Sequence, residues 1–280
     1  MFKRKEKKRM EAKRIENNLK RDFAISQMSR DSVWFYSQMK SGTTYVIIFL
    51  LNYINNLQRL SFDKKIIFEL LPYFHSIEVQ LNKHSPSEIR EMQRAVLSGL
   101  DFDCFLHTHK NIIDFSDKRI FITRNPFDYL ISRHFFHYLN RGNKKDLSYV
   151  WREVLEKFVI THKSQVEMSL SQPDTTLMLN YESLILSPKE KFIKILEFLN
   201  LECDNDLIEL SLSQSKISEV KKIEDVGGKP IVAGENFQAK SFIRSGDIGD
   251  WKNYISDDLR VEIEKWLNSR GVRVDNFIIE

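Results

Sequence analysis

A six-residue loop, Lys40 to Tyr45 (KSGTTY), carries residue types suited to binding a phosphate. Gly42 lets the backbone turn tightly, so consecutive N–H groups can point inwards at the start of a following helix. Lys40 supplies a full positive charge, and Thr43 and Thr44 add hydroxyl donors. The Walker A motif places its lysine after the last glycine, whereas Lys40 precedes Gly42, so this order disfavours magnesium-nucleotide hydrolysis. Taken alone, the loop is also compatible with a simple helix cap.

Arg124 and Ser132 form a second pair that could bind a phosphate. Arg124 directly follows a run rich in β-formers, and its planar guanidinium matches the geometry of a phosphate. Ser132 stands eight residues later, about two helical turns on, so its hydroxyl can face the same side as Arg124. Each residue alone has an ordinary alternative, a surface ion pair for the arginine and a helix-surface hydroxyl for the serine.

His109 is the candidate general base, because it belongs to the run Phe105 to Lys110 (FLHTHK) at the end of a predicted strand. An imidazole with its ordinary pKa of about 6.5 can accept a proton from an attacking hydroxyl near neutral pH. His107 lies two residues earlier. Taken alone, either histidine could instead be structural and bonded to the backbone.

Strands alternating with helices must position these residues. Runs of β-branched and aromatic residues predict strands over Ser32–Tyr36, Phe102–Thr108, Arg119–Thr123 and Thr176–Asn180. Helices are predicted over Thr43–Leu57 and after the start signals at Ser85-Pro86, Asn125-Pro126 and Ser187-Pro188. This alternation predicts an α/β fold, a single domain of three layers with a central, mainly parallel sheet flanked by helices. Ligands of such sheets bind in loops beyond the carboxyl ends of the strands.

The composition indicates a globular chain with unevenly placed charge. Its 280 residues are 42% hydrophobic, which is enough for one large core. The net charge is +4, yet residues 1–22 alone hold ten Lys/Arg and four Asp/Glu, so the remainder carries −2. We predict a charged N-terminal extension over residues 1–22 and one domain over residues 23–280. The extension is interpreted as a solvated helix or frayed tail, with a nucleic-acid or membrane-surface arm as the alternative.

Several kinds of site and location are disfavoured. Cys104 and Cys203 lie far apart without metal-ligand spacing, so neither a disulfide framework nor a zinc site is expected. The longest apolar run, Tyr45 to Leu51, is too short to span a bilayer, and the N-terminus lacks the apolar core of a signal peptide. We expect a cytoplasmic protein without a membrane anchor.

The segment Lys40-Ser41-Gly42-Thr43-Thr44 resembles the 5′-phosphosulfate loop of the cytosolic sulfotransferase family, whose donor is 3′-phosphoadenosine 5′-phosphosulfate (PAPS). That family ends the loop in a tryptophan that stacks on adenine. Tyr45 stands at this position and keeps a flat aromatic face. The resemblance implies that all six residues from Lys40 to Tyr45 bind the cofactor.

Other motifs resemble the same family in the same order along the chain. Arg124 and Ser132 match the pair that binds the 3′-phosphate in the family. The segment Phe242 to Asn253 (FIRSGDIGDWKN) resembles the family's closing segment, in which an Arg-Lys-Gly triplet wraps that phosphate, although Ser245 replaces the lysine. Ser215 matches a family position that contacts adenine. The resemblance implies cofactor binding by Arg124, Ser132, Ser215, Arg244, Ser245 and Gly246.

His109 matches the base in the family's Lys-Thr-His pattern, and His107 replaces its lysine. The resemblance implies catalytic roles for His109, Lys40 and Ser132. It also implies a P-loop nucleotide-kinase-like fold and transfer of the sulfuryl group from PAPS to a hydroxyl or amine of a small-molecule acceptor. The product of the donor would be 3′-phosphoadenosine 5′-phosphate (PAP).

Neither a metal nor a nucleic-acid partner is expected, and the protein is expected to be a monomer or a homodimer. Two alternative functions remain at this point. One is a P-loop kinase acting on a small molecule. The other is a non-catalytic PAP-binding protein, which the departures at His107 and Ser245 would support.

Overall fold

A sheet of four parallel strands lies at the centre of the structure, which is a computed structural model. It describes residue 28 and residues 31–74, 76–109, 118–138, 145–227 and 244–277. The strands are β1 (Ser32–Ser37), β2 (Cys104–Thr108), β3 (Arg119–Thr123) and β4 (Thr176–Asn180), in the order β2-β1-β3-β4. Each pair of neighbours is parallel, which confirms the predicted sheet. The predicted extension over residues 1–22 lies outside the described residues.

Helices connect the strands and cover the sheet. They are α1 (Thr43–Gln58), α2 (Lys64–Leu70), α3 (Ile77–Gln80), α4 (Pro86–Leu97), α5 (Pro126–His137), α6 (Leu147–Ser171), α7 (Tyr181–Leu186), α8 (Pro188–Phe198), α9 (Asn205–Gln214), α10 (Ile217–Gly227) and α11 (Asp257–Asn268). Short 3₁₀ turns cover Leu71–Phe74, Pro173–Thr175, Asp250–Asn253 and Val274–Phe277. Within the described ranges, no helix combines the length and the apolar character needed to cross a membrane.

Local sequence explains where several helices begin. Helix α4 starts with a capping box, in which Ser85 Oγ accepts the Glu88 N–H at 3.4 Å and the Glu88 carboxylate accepts the Ser85 N–H at 2.6 Å. Asn125 Oδ1 accepts the Phe127 N–H at 2.9 Å and caps α5. Helix α8 begins at Pro188, as predicted, without a capping hydrogen bond from the preceding serine. The three predicted helix starts are therefore confirmed.

The sheet is buried on both faces, as parallel sheets usually are. Val33 and Phe35 contribute to the apolar cluster that includes α1 and α8, whereas Trp34 and Tyr36 contribute to the cluster on the other face. None of these four side chains is more than 1% exposed. Burying a large apolar side chain contributes about 1.5–3 kcal/mol, so a strand made of four such residues is stable only when both faces are covered.

The carboxyl ends of β1, β2 and β3 lie side by side at one edge of the sheet. Tyr36 pairs with Thr108 in β2, and Ser37 pairs with Ile122 in β3. The loops that leave these strands therefore start next to one another. This is the arrangement that strand–helix alternation predicts for a ligand site.

A separate apolar cluster joins α5 to α6 and α11. Within it, Phe127 of α5 stacks on Trp251, with ring centroids 4.7 Å apart. Trp251 belongs to the 3₁₀ turn Asp250–Asn253. The cluster therefore fixes the C-terminal part of the chain beside the helix that follows β3.

Candidate active site

The loop Lys40–Tyr45, here called the anion loop, turns sharply between β1 and α1. Lys40 and Gly42 both have positive φ, 74° and 96°, and the Ser41 N–H donates to the Gln38 carbonyl at 3.1 Å. Backbone in this region is costly for a lysine and is concentrated at functional sites. Among the described residues, buried Ser41 Oγ has no hydrogen-bond partner. An unpartnered hydroxyl beside the N-terminus of a 16-residue helix fits a bound anion.

Gly42 is required by its surroundings as well as by its backbone conformation. A Cβ at this position would overlap the ring of Tyr181, with Cε2 only 2.9 Å away. Tyr181 directly follows β4, so the corner after the fourth strand closes against the anion loop. Sequence reasoning missed Tyr181, although its place at the carboxyl end of a predicted strand was an available signal.

Arg124 connects three segments that are distant in sequence. Its Nη1 donates to the Lys40 carbonyl at 3.3 Å, and its Nη2 donates to the Asp247 carbonyl at 3.1 Å. Its guanidinium carbon lies 4.3 Å from the centre of the Tyr181 ring, a cation–π distance. Only 7% of Arg124 is exposed. The loops containing Lys40, Arg124 and Arg244 therefore meet at one place, as a shared anion pocket requires.

Contacts from other elements hold the C-terminal segment, defined as Arg244 to Asn253. The Tyr181 hydroxyl donates to the Gly246 carbonyl at 2.6 Å, and Lys221 Nζ donates to the Arg244 carbonyl at 3.2 Å. Gly246 has φ of 84°, and a Cβ there would overlap the Ile217 side chain. The positive φ favours glycine here, and any larger residue would also displace the end of the Ile217 side chain in α10.

The Arg244 guanidinium is held in a defined orientation. It forms an ion pair with Asp250 and lies 4.7 Å from the centre of the Phe135 ring. Its Nη1 also donates to the Tyr254 hydroxyl at 3.3 Å. Next to it, Ser245 Oγ accepts the N–H of residue 247 at 3.4 Å. The predicted 3′-phosphate arginine is therefore orientated by aromatic and acidic neighbours.

Helix α5 borders the anion loop. Lys40 Nζ lies 4.8 Å from the centre of the Phe136 ring, so this helix packs against the lysine of the loop. Ser132 lies one turn earlier on the same helix and is half-buried. Of the predicted binding residues, Lys40 therefore contacts α5, and Ser132 belongs to that helix.

The backbone of β1 orients His109. Its Nδ1 lies 2.8 Å from the Ser37 carbonyl oxygen. A carbonyl oxygen can only accept, so Nδ1 carries the proton and donates it. The lone pair of the neutral ring is then on Nε2, which is the atom a general base uses to accept a proton. The role of His109 as a base stays a prediction, and the structure adds that its Nδ1 donates to the Ser37 carbonyl.

His107 contacts the anion loop through two hydroxyl groups. Its Nε2 lies 3.2 Å from Ser37 Oγ, which accepts a hydrogen bond from Thr43. The Thr43 hydroxyl is therefore directed to Ser37, and its predicted donation to a phosphate requires it to turn about its C–O bond. The His107 and His109 rings meet edge to face, with centroids 4.4 Å apart. The two histidines and Thr43 thus share Ser37 as a common partner.

Two predicted adenine contacts, Tyr45 and Ser215, already have partners within the protein. The Tyr45 ring meets Phe192 edge-on, with centroids 5.4 Å apart, and burial raises the pKa of Tyr45 to about 12. Ser215 is fully buried, and its Oγ donates to the Ser211 carbonyl at 2.7 Å and accepts from Asn52 at 3.2 Å. Contact of either residue with adenine stays a prediction.

A buried carboxyl group, Glu182, supports the corner at Arg124. Its Oε1 accepts the Asn125 N–H at 2.9 Å, and the residue is only 2% exposed. Burial raises the pKa of Glu182 above its ordinary value, although the backbone hydrogen bonds and nearby Arg124 act in the opposite direction.

The assembled groups can bind an anionic ligand at two ends and remove a proton. Lys40, Arg124 and Arg244 bring three cations to loops that meet at one edge of the sheet. The anion loop adds backbone N–H groups at a helix N-terminus. His109 adds an imidazole whose Nδ1 is bound to the carbonyl of Ser37, the residue at which β1 ends.

Comparison with known proteins shows which family this chain resembles. The family described as Sulfotransferase domain matches residues 30–272. Sulfotransferase 1B1 of Mus musculus is 28% identical, covering 78% of this chain and 75% of that protein. Flavonol sulfotransferase-like of Flaveria bidentis is 23% identical, covering 85% of this chain and 81% of that protein.

Solved structures of a sulfotransferase and of a retinol dehydratase share the fold. Mouse sulfotransferase SULT7A1 complexed with PAP has a TM-score of 0.57 at 18% identity, with 86% of this chain and 83% of that chain covered. Retinol dehydratase in complex with androsterone and inactive cofactor PAP has a TM-score of 0.61 at 18% identity, with 86% and 80% covered. These likenesses confirm the predicted fold, and the family match over most of the sequence confirms the resemblance found in the motifs. The chain belongs to the sulfotransferase family.

Proposed function

We propose that this sulfotransferase moves the sulfuryl group of PAPS to a hydroxyl or amine of a small-molecule acceptor and releases PAP, with His109 as the general base. The observation that carries the proposal is the position of Arg124. One guanidinium donates to the carbonyls of both Lys40 and Asp247, so the loops proposed for the two ends of the nucleotide meet. Two solved structures of the same fold, one named as a sulfotransferase and one as retinol dehydratase, are described in complex with PAP and support the choice of nucleotide.

Lys40 and the N–H groups of the anion loop are assigned to the 5′-phosphate end of PAPS. They would stabilise the charge that develops on that phosphate as the bond from sulfur to the bridging oxygen breaks. Ser41 Oγ, buried and without a partner among the described residues, supports this assignment.

Arg124, Ser132 and Arg244 are assigned to the 3′-phosphate end. Arginine forms paired, charge-assisted hydrogen bonds with phosphate, which a single lysine ammonium cannot do. The position of Ser245, where the family motif has a lysine, leaves these two arginines as the cations assigned to that phosphate.

His109 is assigned the role of accepting the proton from the acceptor hydroxyl. The Ser37 carbonyl holds Nδ1–H, so Nε2 can accept the proton of the acceptor hydroxyl as its oxygen bonds to sulfur. PAPS supplies the sulfuryl group when it is bound. The reaction then needs only that the acceptor oxygen, the sulfur and the leaving oxygen lie in line.

The acceptor is proposed to be a small molecule. One solved relative is described in complex with androsterone and another structure of retinol dehydratase contains retinol, so small alcohols are reasonable first candidates. We propose a cytoplasmic location, a monomer or homodimer, and metal-independent transfer. The boundary between the charged extension and the domain at residue 22 stays part of the proposal.

Incubation of the full chain with ³⁵S-labelled PAPS and pools of small alcohols, phenols and amines tests the function. We expect label on an acceptor and a larger thermal shift with PAP than with Mg-ATP. A shift with Mg-ATP alone would favour the kinase alternative. Binding of PAP without transfer to any pool would favour the non-catalytic alternative.

Replacing His109 by alanine tests the proposed base. We expect turnover to fall by roughly 10²–10⁴-fold, because a general base contributes about that much. The affinity for PAP should stay within about twofold, since His109 is assigned to the acceptor proton only. His84→Ala is the control and should retain turnover, because His84 lies in the turn after α3 and has no assigned role. Retained turnover in His109→Ala would remove His109 from this role.

A further inference from the structure

Asp128 holds the C-terminal segment with both oxygens of its carboxylate. Its Oδ2 accepts the Gly249 N–H at 2.7 Å, and its Oδ1 accepts the Trp251 N–H at 3.1 Å. The residue lies in the first turn of α5 and is only 2% exposed. A carboxylate this deeply buried is stable only when its oxygens are hydrogen-bonded. The segment therefore supplies the hydrogen bonds that the buried carboxylate needs, and the carboxylate in turn holds the segment.

The turn that Asp128 holds carries the partner of Arg244. Asp250 lies between the two donating residues and forms the ion pair with Arg244. Burial by itself would raise the pKa of Asp250, but hydrogen bonds from Asn253 and Arg244 outweigh it and lower the pKa. Asp250 is therefore ionised at neutral pH and keeps Arg244 in place.

Helix α5 also contacts the far end of the segment. Phe135, seven residues after Asp128, lies 4.7 Å below the Arg244 guanidinium. Residues four and seven apart share one face of a helix, so Asp128, Ser132 and Phe135 form one stripe. Ser132, assigned to the 3′-phosphate, lies between the two residues that fix the segment.

Two further features reinforce the turn. Gly249 has φ of 77°, a conformation that glycine adopts readily and that directs its N–H to Asp128. Trp251 stacks on Phe127, the neighbour of Asp128 in α5. Hydrogen bonding and stacking therefore act on the same three-residue stretch.

We infer that Asp128 is a positioning residue that fixes Arg244 in the orientation needed to bind the 3′-phosphate of the nucleotide. The inference rests on the proposed function. Asp128 acts through the turn at residues 249–251 and through Asp250, not by touching the ligand. Its two hydrogen bonds to N–H groups offset its negative charge, which would otherwise repel the phosphate assigned to this side of the site.

Asp128→Asn in the full chain is the first test, with calorimetric affinities for PAP and for adenosine 5′-phosphate, which lacks the 3′-phosphate. The amide group keeps the shape of the side chain but replaces one acceptor with a donor that faces an N–H. We expect the affinity for PAP to fall about tenfold or more, as for a lost charged hydrogen bond. The affinity for adenosine 5′-phosphate should change less than about threefold.

Asp204→Asn is the matched control. Asp204 also accepts two backbone N–H groups, from Asp206 at 2.8 Å and Leu207 at 3.0 Å, but it caps α9 outside the site. Its substitution should leave both affinities unchanged. Asp128→Glu retains two carboxylate oxygens and should restore part of the preference for PAP. Should Asp128→Asn fail to fold, Asp250→Asn removes the ion pair with Arg244 through which Asp128 is inferred to act. It should likewise lower the affinity for PAP more than the affinity for adenosine 5′-phosphate.

The outcomes separate this inference from the proposed function. A wild-type chain that binds PAP no more tightly than adenosine 5′-phosphate would overturn the proposed function itself. A wild-type preference for PAP that persists in Asp128→Asn would overturn only the role of Asp128. An equal loss of both affinities in Asp128→Asn would also overturn it, because a purely structural role predicts that result.

Discussion

The anion loop and the C-terminal segment border the same site but are fixed by different means. The anion loop is attached directly to β1, and its conformation is set by backbone turns at Lys40 and Gly42. The C-terminal segment contains no strand, and its backbone groups are bound by side chains of Arg124, Asp128 and Tyr181. One part of the site therefore depends on the sheet, and the other depends on individual side chains.

This difference separates the effects that substitutions should have. Changing the anion loop strains the sheet edge, so stability and binding should fall together. Changing a side chain that holds the C-terminal segment should weaken nucleotide binding with a smaller loss of stability. Gly42→Ala and Tyr181→Phe test that distinction, and Glu182→Gln adds a smaller test at the neighbouring Arg124 corner.

Gly42→Ala should have the largest effect. Alanine is strained at φ of 96°, and its Cβ would overlap the Tyr181 ring. We expect the free energy of unfolding to fall by about 2–5 kcal/mol, from backbone strain plus overpacking. We also expect the affinity for PAP to fall about tenfold or more, measured by denaturant unfolding and calorimetry.

Gly99→Ala is the matched control for Gly42→Ala. Gly99 has a similar φ of 83°, but nothing lies within 4 Å of its Cβ position. We expect a loss of about 1–2 kcal/mol from strain alone and no change in the affinity for PAP. Equal losses of stability in the two variants would show that Tyr181 moves aside easily, which would contradict the extra cost assigned to overlap with its ring.

Tyr181→Phe should have an intermediate effect on the C-terminal segment. It removes the hydroxyl that donates to the Gly246 carbonyl at 2.6 Å and keeps the ring beneath Arg124. We expect the affinity for PAP to fall about three- to tenfold, with a stability loss of about 1 kcal/mol.

Tyr53→Phe is the control for Tyr181→Phe. It removes a hydroxyl that donates to the Glu202 carbonyl at 2.6 Å and accepts the Asp204 N–H at 3.0 Å, in the core away from the site. Its stability loss should be at least as large, but its affinity for PAP should match that of the wild type. If both variants bind PAP as tightly as the wild type, Tyr181 does not hold the segment for the nucleotide.

Glu182→Gln should have the smallest effect, seen in the pH dependence of stability. Burial raises the pKa of Glu182 in the folded state, so the folded chain binds a proton more readily than the unfolded chain. The wild-type free energy of unfolding should therefore lose a contribution as pH rises above the ordinary value of 4.5 and through the folded-state pKa. Glutamine still offers an oxygen to the Asn125 N–H. Chemical denaturation of both forms between pH 4 and 8 should show a variant that gains relative stability as pH rises, and parallel curves would contradict the raised pKa.

The sequence was a good guide to elements whose signals are local. The predicted strands Arg119–Thr123 and Thr176–Asn180 match β3 and β4, because short runs of β-formers end at polar residues. The strand predicted from Phe102 begins at Cys104 instead, since Phe102 precedes the paired residues and joins the apolar cluster through its side chain. The motif residues were recognisable because they lie in strand-to-helix loops: Arg124 directly follows β3, and Lys40 and Gly42 lie in the short loop between β1 and α1.

Contacts between distant positions could not be read from local patterns. Tyr181 meets Gly246 across 65 residues, and Asp128 meets Gly249 across 121 residues. His107 was visible as a departure from the family motif, but its partner Ser37 lies 70 residues earlier. Such pairings arise from the crossing of the chain between strands, so only the assembled sheet reveals them.

The order of the strands along the chain also leaves β1 unpaired during synthesis of the protein. β1 is made early, but Ser32 pairs with Cys104, 72 residues later, and Trp34 pairs with Arg119 later still. At about 5–20 residues per second, roughly 4–14 s pass on the ribosome before the first partner of β1 exists. Throughout this interval Val33, Trp34, Phe35 and Tyr36 present an unpaired apolar strand, the kind of segment that drives aggregation. A chaperone that shields this strand during translation should therefore raise the yield of folded protein.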